Sequence, residues 1–170
     1  TTLWLESERM GFMLDAVSQE KFENQRDAVI NEKYQNQINQ PYGMSYEILG
    51  QNLYPASHPY NWPVIGYVDD LQRATLDDLK DFYLKWYGPN NAVLTISGDV
   101  TSEEVIPLVN KYFGSINRGT YVKRQRSNVP RLSSDKYCGY SDPNIWLPLT
   151  DIVFPTVPNY HKDEAALDIL

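Results

Sequence analysis

Apolar positions set out the elements of this chain before any other property is considered. Leu3, Leu5, Met10, Met13 and Leu14 recur at loosely helical spacing and predict a first helix over about residues 3–16. Ser18 then offers an N-cap, with acidic Glu20 in the turn that follows. From there to about Ile38 there is no Pro or Gly, and Phe22, Val29, Ile30, Tyr34 and Ile38 fall at near-helical intervals, so a long amphipathic helix is expected. The run Gln40-Pro41-Tyr42-Gly43 breaks it. A shorter helix is expected over about 44–53, followed by a loop over 54–66 that holds Pro55, Pro59 and Pro63.

In the next stretch, Thr75 with Asp78 has the form of a capping box, and Leu76, Leu79, Phe82, Tyr83 and Trp86 line one face of the helix that it opens. Gly88-Pro89-Asn90-Asn91 reads as a turn, and residues 92–97, Ala-Val-Leu-Thr-Ile-Ser, as a buried strand ended by Gly98-Asp99. Thr101 with Glu104 repeats the capping pattern ahead of a helix to about Phe113, with Pro107 early in it. Residues 115–131 are polar, basic and loop-like, and beyond them the texture changes. Residues 136–140 and 147–154 read as strands, Pro155 and Pro158 bracket a turn, and a last helix is expected over 161–170. The seam between two structural units is placed at 125–132, with 1–124 before it and 133–170 after.

The 170 residues carry a net charge of -7, which argues against a nucleic-acid surface. The basic residues Lys123, Arg124 and Arg126 are too local to reverse that and read as a solvated linker. Cys138 stands alone, so neither an intrachain disulfide nor a cysteine zinc cluster is available, and it reads as a half-buried strand residue. No apolar run approaches the roughly 20 residues that span a bilayer. No signal peptide opens the chain, and both ends fall inside helical patterns, so it is expected to be part of a longer protein.

Taken by spacing alone, the catalytic inventory is thin. The two histidines, His58 and His161, lie far apart, and neither has a second His or a Cys three or four residues away. There is no phosphate loop and no nucleophile elbow. Glu23 and Glu32 read as helix-surface carboxylates, and Arg26 as an ion-pair partner rather than a substrate contact. His58 reads as a loop histidine making one hydrogen bond. Tyr60, Trp62 and Tyr67 either line a peptide-binding surface or, more commonly for aromatic side chains in a loop, pack it.

The order of short motifs adds a second line of argument. Residues 22–32, Phe-Glu-Asn-Gln-Arg-Asp-Ala-Val-Ile-Asn-Glu, are followed by Pro41-Tyr42-Gly43, His58-Pro59-Tyr60, Pro63-Val64-Ile65-Gly66, Pro89-Asn90-Asn91-Ala92, Gly98-Asp99-Val100 and Tyr112-Phe113-Gly114. In number and order this series resembles the insulinase (pitrilysin-like) family of zinc peptidases, over nearly the whole chain.

The resemblance implies an α+β fold, an antiparallel-type sheet with helices packed on one face. It implies that Glu32 is the third zinc ligand. The two histidine ligands and the glutamate general base of the inverted His-x-x-Glu-His motif would then lie upstream of Thr1, so no catalytic residue is expected within these residues. Gln25, seven residues before Glu32 and thus on the same helical face, stands where many members have a supporting Glu; it can still donate and accept hydrogen bonds.

The implied activity is that of a zinc metalloendopeptidase of peptides or unfolded polypeptides. It would work with a second peptidase half, in the same chain or in another subunit. The alternative is a non-catalytic family member that serves as a structural or substrate-binding partner. The sequence fixes no compartment; the resemblance alone points to the bacterial envelope as one setting.

Overall fold

The computed structural model describes residues 1–124, 127 and 130–170. Among them run seven α-helices: α1 (Thr2–Phe12), α2 (Gln19–Lys33), α3 (Ser45–Leu53), α4 (Val68–Arg73), α5 (Leu76–Trp86), α6 (Ser102–Phe113) and α7 (Glu164–Leu167). Tight 3-10 turns occupy Met13–Ala16 and Pro89–Asn91, and a π-helical turn occupies Tyr34–Ile38.

Local capping explains where α2, α5 and α6 begin. The Ser18 hydroxyl accepts from the Lys21 N–H at 3.3 Å, which relieves one of the unpaired donors at the start of α2. Both expected capping boxes form. Thr75 Oγ1 accepts from the Asp78 N–H while the Asp78 carboxylate accepts from the Thr75 N–H. Thr101 and Glu104 make the same reciprocal pair at the head of α6. Pro107 is accommodated within α6.

The expected sheet is not there. Among the described residues no strand forms, and the α+β reading is corrected to an all-helical one. The physical reason lies in what a strand requires. Its main-chain donors and acceptors are satisfied only by a neighbouring strand, and a lone extended run gains nothing from its apolar side chains until a surface covers them. The run over 92–97 has no such neighbour here: Val93 is 93% exposed and Ile96 38%. The runs over 136–140 and 147–154 stand likewise, with Tyr137 and Ile152 open to solvent. The seam expected at 125–132 includes residues 125, 126, 128 and 129, which lie outside the described residues.

The chain divides into two compact units, Thr1–Ala28 with Asp69–Gln125, and Val29–Val68 with Arg126–Leu170. In the first, α1 packs against α6. Tyr83 of α5 is the one buried hydrophobic residue among those described, and the Tyr83 hydroxyl is directed at the carbonyls of Arg9 and Met10. Those carbonyls belong to the last turn of α1, where intrahelical donors run out. Gly11 meets the side chain of Ile116, so even a methyl group there would press on it at 3.1 Å.

In the second unit, residues beyond 131 lie along α3. The Lys136 ammonium donates to the Asn52 carbonyl at 2.7 Å, and Tyr42 donates through its N–H to Asp142 and through its hydroxyl to the Leu147 carbonyl. Tyr42 itself takes a left-handed backbone, φ 62°. Between α3 and this segment runs a cleft of about 260 Å³, lined by Ile48, Leu53, Leu132, Cys138 and Val153 among others.

Candidate functional site

The candidate ligand Glu32 lies in the last turn of α2, next to the helix's final α-helical residue, Lys33. Glu32 is exposed, and among the described residues its carboxylate is engaged in no hydrogen bond or ion pair. Two nearby carboxylates are committed, Glu23 accepting from the Gln19 side chain at 2.8 Å and Glu47 paired with Lys33, while Glu20 at the head of α2 is, like Glu32, without a side-chain partner among the described residues. Gln25 is exposed on the same helix and has no side-chain partner among the described residues.

Lys33 was not singled out by the sequence, yet it is the most deeply placed residue of α2, 2% exposed. Its ammonium donates to Glu47 Oε2 at 2.8 Å and to the Gly66 carbonyl at 2.7 Å. The same nitrogen lies 5.4 Å from the centroid of the Tyr67 ring. No spacing rule marks this lysine, because its partners are 14 and 33 residues away in sequence. Directly after it the helix widens. The Asn39 N–H reaches back five residues to the Tyr34 carbonyl at 2.9 Å, the bond that defines a π turn.

The remaining candidates are engaged in local packing. His58 stacks on Tyr54 with ring centroids 4.6 Å apart, and its Nδ1 accepts from the Tyr60 N–H at 3.1 Å. His161 Nδ1 accepts from the Asp163 N–H at 3.2 Å. Arg26 donates to the Ala74 carbonyl at 3.3 Å, with Asp27 at 3.9 Å and its guanidinium over the Phe22 ring. Cys138 is exposed and its sulfur faces the Asn52 amide at 3.4 Å. Tyr60 and Trp62 are exposed, whereas Tyr67 packs under Lys33.

Among the described residues no three His, Cys, Asp or Glu side chains gather as a metal site would need. A catalytic zinc takes three protein ligands and leaves one position open. The donor chemistry of Glu32, an uncommitted carboxylate on a helix, fits one of those three positions and no described neighbour fills another. No helix among the described residues is long and apolar enough to cross a membrane.

Comparison with known proteins decides the family. The sequence profile described as the peptidase M16 inactive domain matches residues 73–170. The chain belongs to the M16 (insulinase-type) peptidase family.

This M16 chain is 30% identical to the zinc protease PqqE of Helicobacter pylori across 99% of its own length and 38% of that protein's. It is 30% identical to an uncharacterized zinc protease of Mycobacterium leprae over 48% of its length and 18% of the relative's. Among solved structures, a protease from Helicobacter pylori matches 76% of the chain with a TM-score of 0.64 and 33% identity. The chain covers 30% of that protease. It therefore spans well under half the length of these relatives. The M16 profile begins at Arg73, so α2 lies before it, while the alignment with PqqE spans nearly the whole chain and takes in α2.

Proposed function

We propose that this chain is part of a zinc-dependent metalloendopeptidase that hydrolyses peptides or unfolded polypeptides. The observation that carries the reading is the near end-to-end likeness to a protein named a zinc protease, taken with a free carboxylate at Glu32. In this reading Glu32 is one zinc ligand, with Gln25 in support on the same helix. The histidine ligands and the general base come from sequence outside these 170 residues. A zinc ion held by Glu32 and by ligands outside these residues would supply Lewis acidity to the hydrolysis of a peptide bond. The share of that work done by this chain is to hold a carboxylate on a helix, which keeps its position better than a loop does.

The same reading divides the chain into the later part of a first peptidase unit, 1–124, and the start of a second, 133–170. It also calls for a second half, in the same chain or in another subunit. The apolar side chains left open at Val93, Ile96, Trp146 and Phe154 support a further covering protein surface. A second reading is a non-catalytic member that pairs with an active subunit. It is favoured by the description of the matched profile as an inactive domain.

Zinc content of the full-length gene product, wild type beside Glu32→Gln, tests the proposal. Bound zinc in the wild type that the variant fails to retain supports the peptidase reading. A wild type that stays zinc-free after loading leaves the non-catalytic partner as the function. Under either reading the 170 residues alone are expected to cleave no peptide.

A further inference from the structure

We propose that Lys33 is a positioning residue for Glu32: its ammonium locks the last turn of α2 so that the adjacent carboxylate is held in one direction. The proposal rests on the reading of Glu32 as a zinc ligand, and it concerns what aims that ligand.

Three observations carry it. The first is the lock itself. A lysine ammonium has three donors, and burying it is costly unless they are used. Here the ammonium is tied to the Glu47 carboxylate on α3 and the Gly66 carbonyl at the end of the proline-rich loop, and it stands against the Tyr67 ring. One side chain thus fixes the end of α2 to points contributed by separate parts of its unit. The second is geometry. Neighbouring residues on an α-helix point about 100° apart. With Lys33 drawn inward, the direction of the Glu32 Cα–Cβ bond follows. The third is the lack of any alternative anchor. Glu32 has no side-chain partner among the described residues, and regular α-helix stops at Lys33, where the π turn begins. The preceding turns of α2 hold the Glu32 backbone from one side, and on the other side it is the anchored residue 33 that holds it where regular helix ends.

The test uses the full-length protein and zinc itself as the probe. Zinc affinity is measured by competition with a chelator for wild type, Glu32→Gln, Lys33→Met, Lys33→Arg and Glu47→Gln. Amide exchange over residues 30–38 and the melting temperature are followed in the metal-free proteins. Tyr83→Phe, in the other unit, serves as a destabilised control.

Loss of the lock is expected to weaken zinc binding by about 10-fold or more, as loss of a group that supports a ligand does elsewhere. Lys33→Met and Glu47→Gln should both show it, with faster exchange at 30–38, and Lys33→Arg should recover part of the affinity. Tyr83→Phe should melt earlier and bind zinc as wild type does. If Lys33→Met lowers only the melting temperature and leaves zinc affinity unchanged, Lys33 is a structural residue and the proposal is overturned. Should Lys33→Met fail to fold, Glu47→Gln decides by the same criterion, because it keeps the side-chain volume and removes only the charge. If Glu32→Gln itself binds zinc normally, the ligand reading has failed, and the positioning role falls with it. That result is distinct from a failure of Lys33 alone.

Discussion

The Lys33 ammonium and the Glu47 carboxylate form a buried ion pair at 2.8 Å, with side chains 3% and 10% exposed. Removing one partner from such a pair leaves an uncompensated charge, at a typical cost of about 3–5 kcal/mol. Glu47→Leu is therefore expected to lower stability by that order. The double change Lys33→Met with Glu47→Leu should cost less than the sum of the two single changes. Urea denaturation of the four proteins checks it; strictly additive losses would show that the two charges do not interact.

Gly66 supports the same lock from the loop side. Its backbone is left-handed, φ 85°, while its carbonyl accepts from Lys33. A side chain in that region costs about 1–2 kcal/mol. Gly66→Ala should destabilise by this amount, read as a lower urea midpoint.

Tyr83 joins α5 to the end of α1 through its hydroxyl. Tyr83→Phe keeps the ring and loses those bonds, at an expected cost of about 1–2 kcal/mol near neutral pH. Burial, with a smaller contribution from nearby Tyr87, raises the phenol's pKa above the ordinary tyrosine value. A raised folded pKa means that the stabilisation is fully present below the unfolded pKa of about 10 and fades as pH rises through the folded value. The stability difference between wild type and Tyr83→Phe should therefore narrow in strong alkali. A phenolate absorbance titration should show one late-titrating tyrosine fewer in the variant.

At the head of α5, the Thr75 hydroxyl, and after it the Thr75 N–H, hold the Asp78 carboxyl below the ordinary aspartate pKa. Stabilisation from this group is present above the unfolded pKa and is lost as pH falls through the folded one. Thr75→Ala removes the larger influence. The Asp78 carboxyl carbon in that variant should titrate at higher pH by NMR, and the amides of the first turn of α5 should exchange faster.

Features governed by near neighbours were legible in the sequence. Ser18 caps α2, and Thr75 with Asp78 and Thr101 with Glu104 form their boxes, because each needs only residues three positions apart. The break at 40–43 was legible for the same reason. Strands at 92–97, 136–140 and 147–154 were read from apolar runs, but an apolar run states what a segment wants covered and says nothing about whether a partner is present. The short helix α4 was passed over, since six residues give too little periodicity to read. In the candidate site, Glu32 was reached through the resemblance, whereas Lys33 escaped notice. A lysine next to a glutamate on a helix looks like surface, and only the distant Glu47 and Gly66 make it interior.

The open apolar residues along 92–97 and 147–154 have a consequence for how a cell makes this polypeptide. As these stretches leave the ribosome they present aliphatic and aromatic side chains, of which Val93, Ile152 and Phe154 stay largely open even in the folded chain. Such segments are the ones that chaperones hold and that neighbouring nascent chains stick to. A net charge of -7 slows mutual approach without hiding them. Production of the 170 residues by themselves should accordingly depend on chaperone supply, and the product should bind a hydrophobic dye until a covering surface is provided.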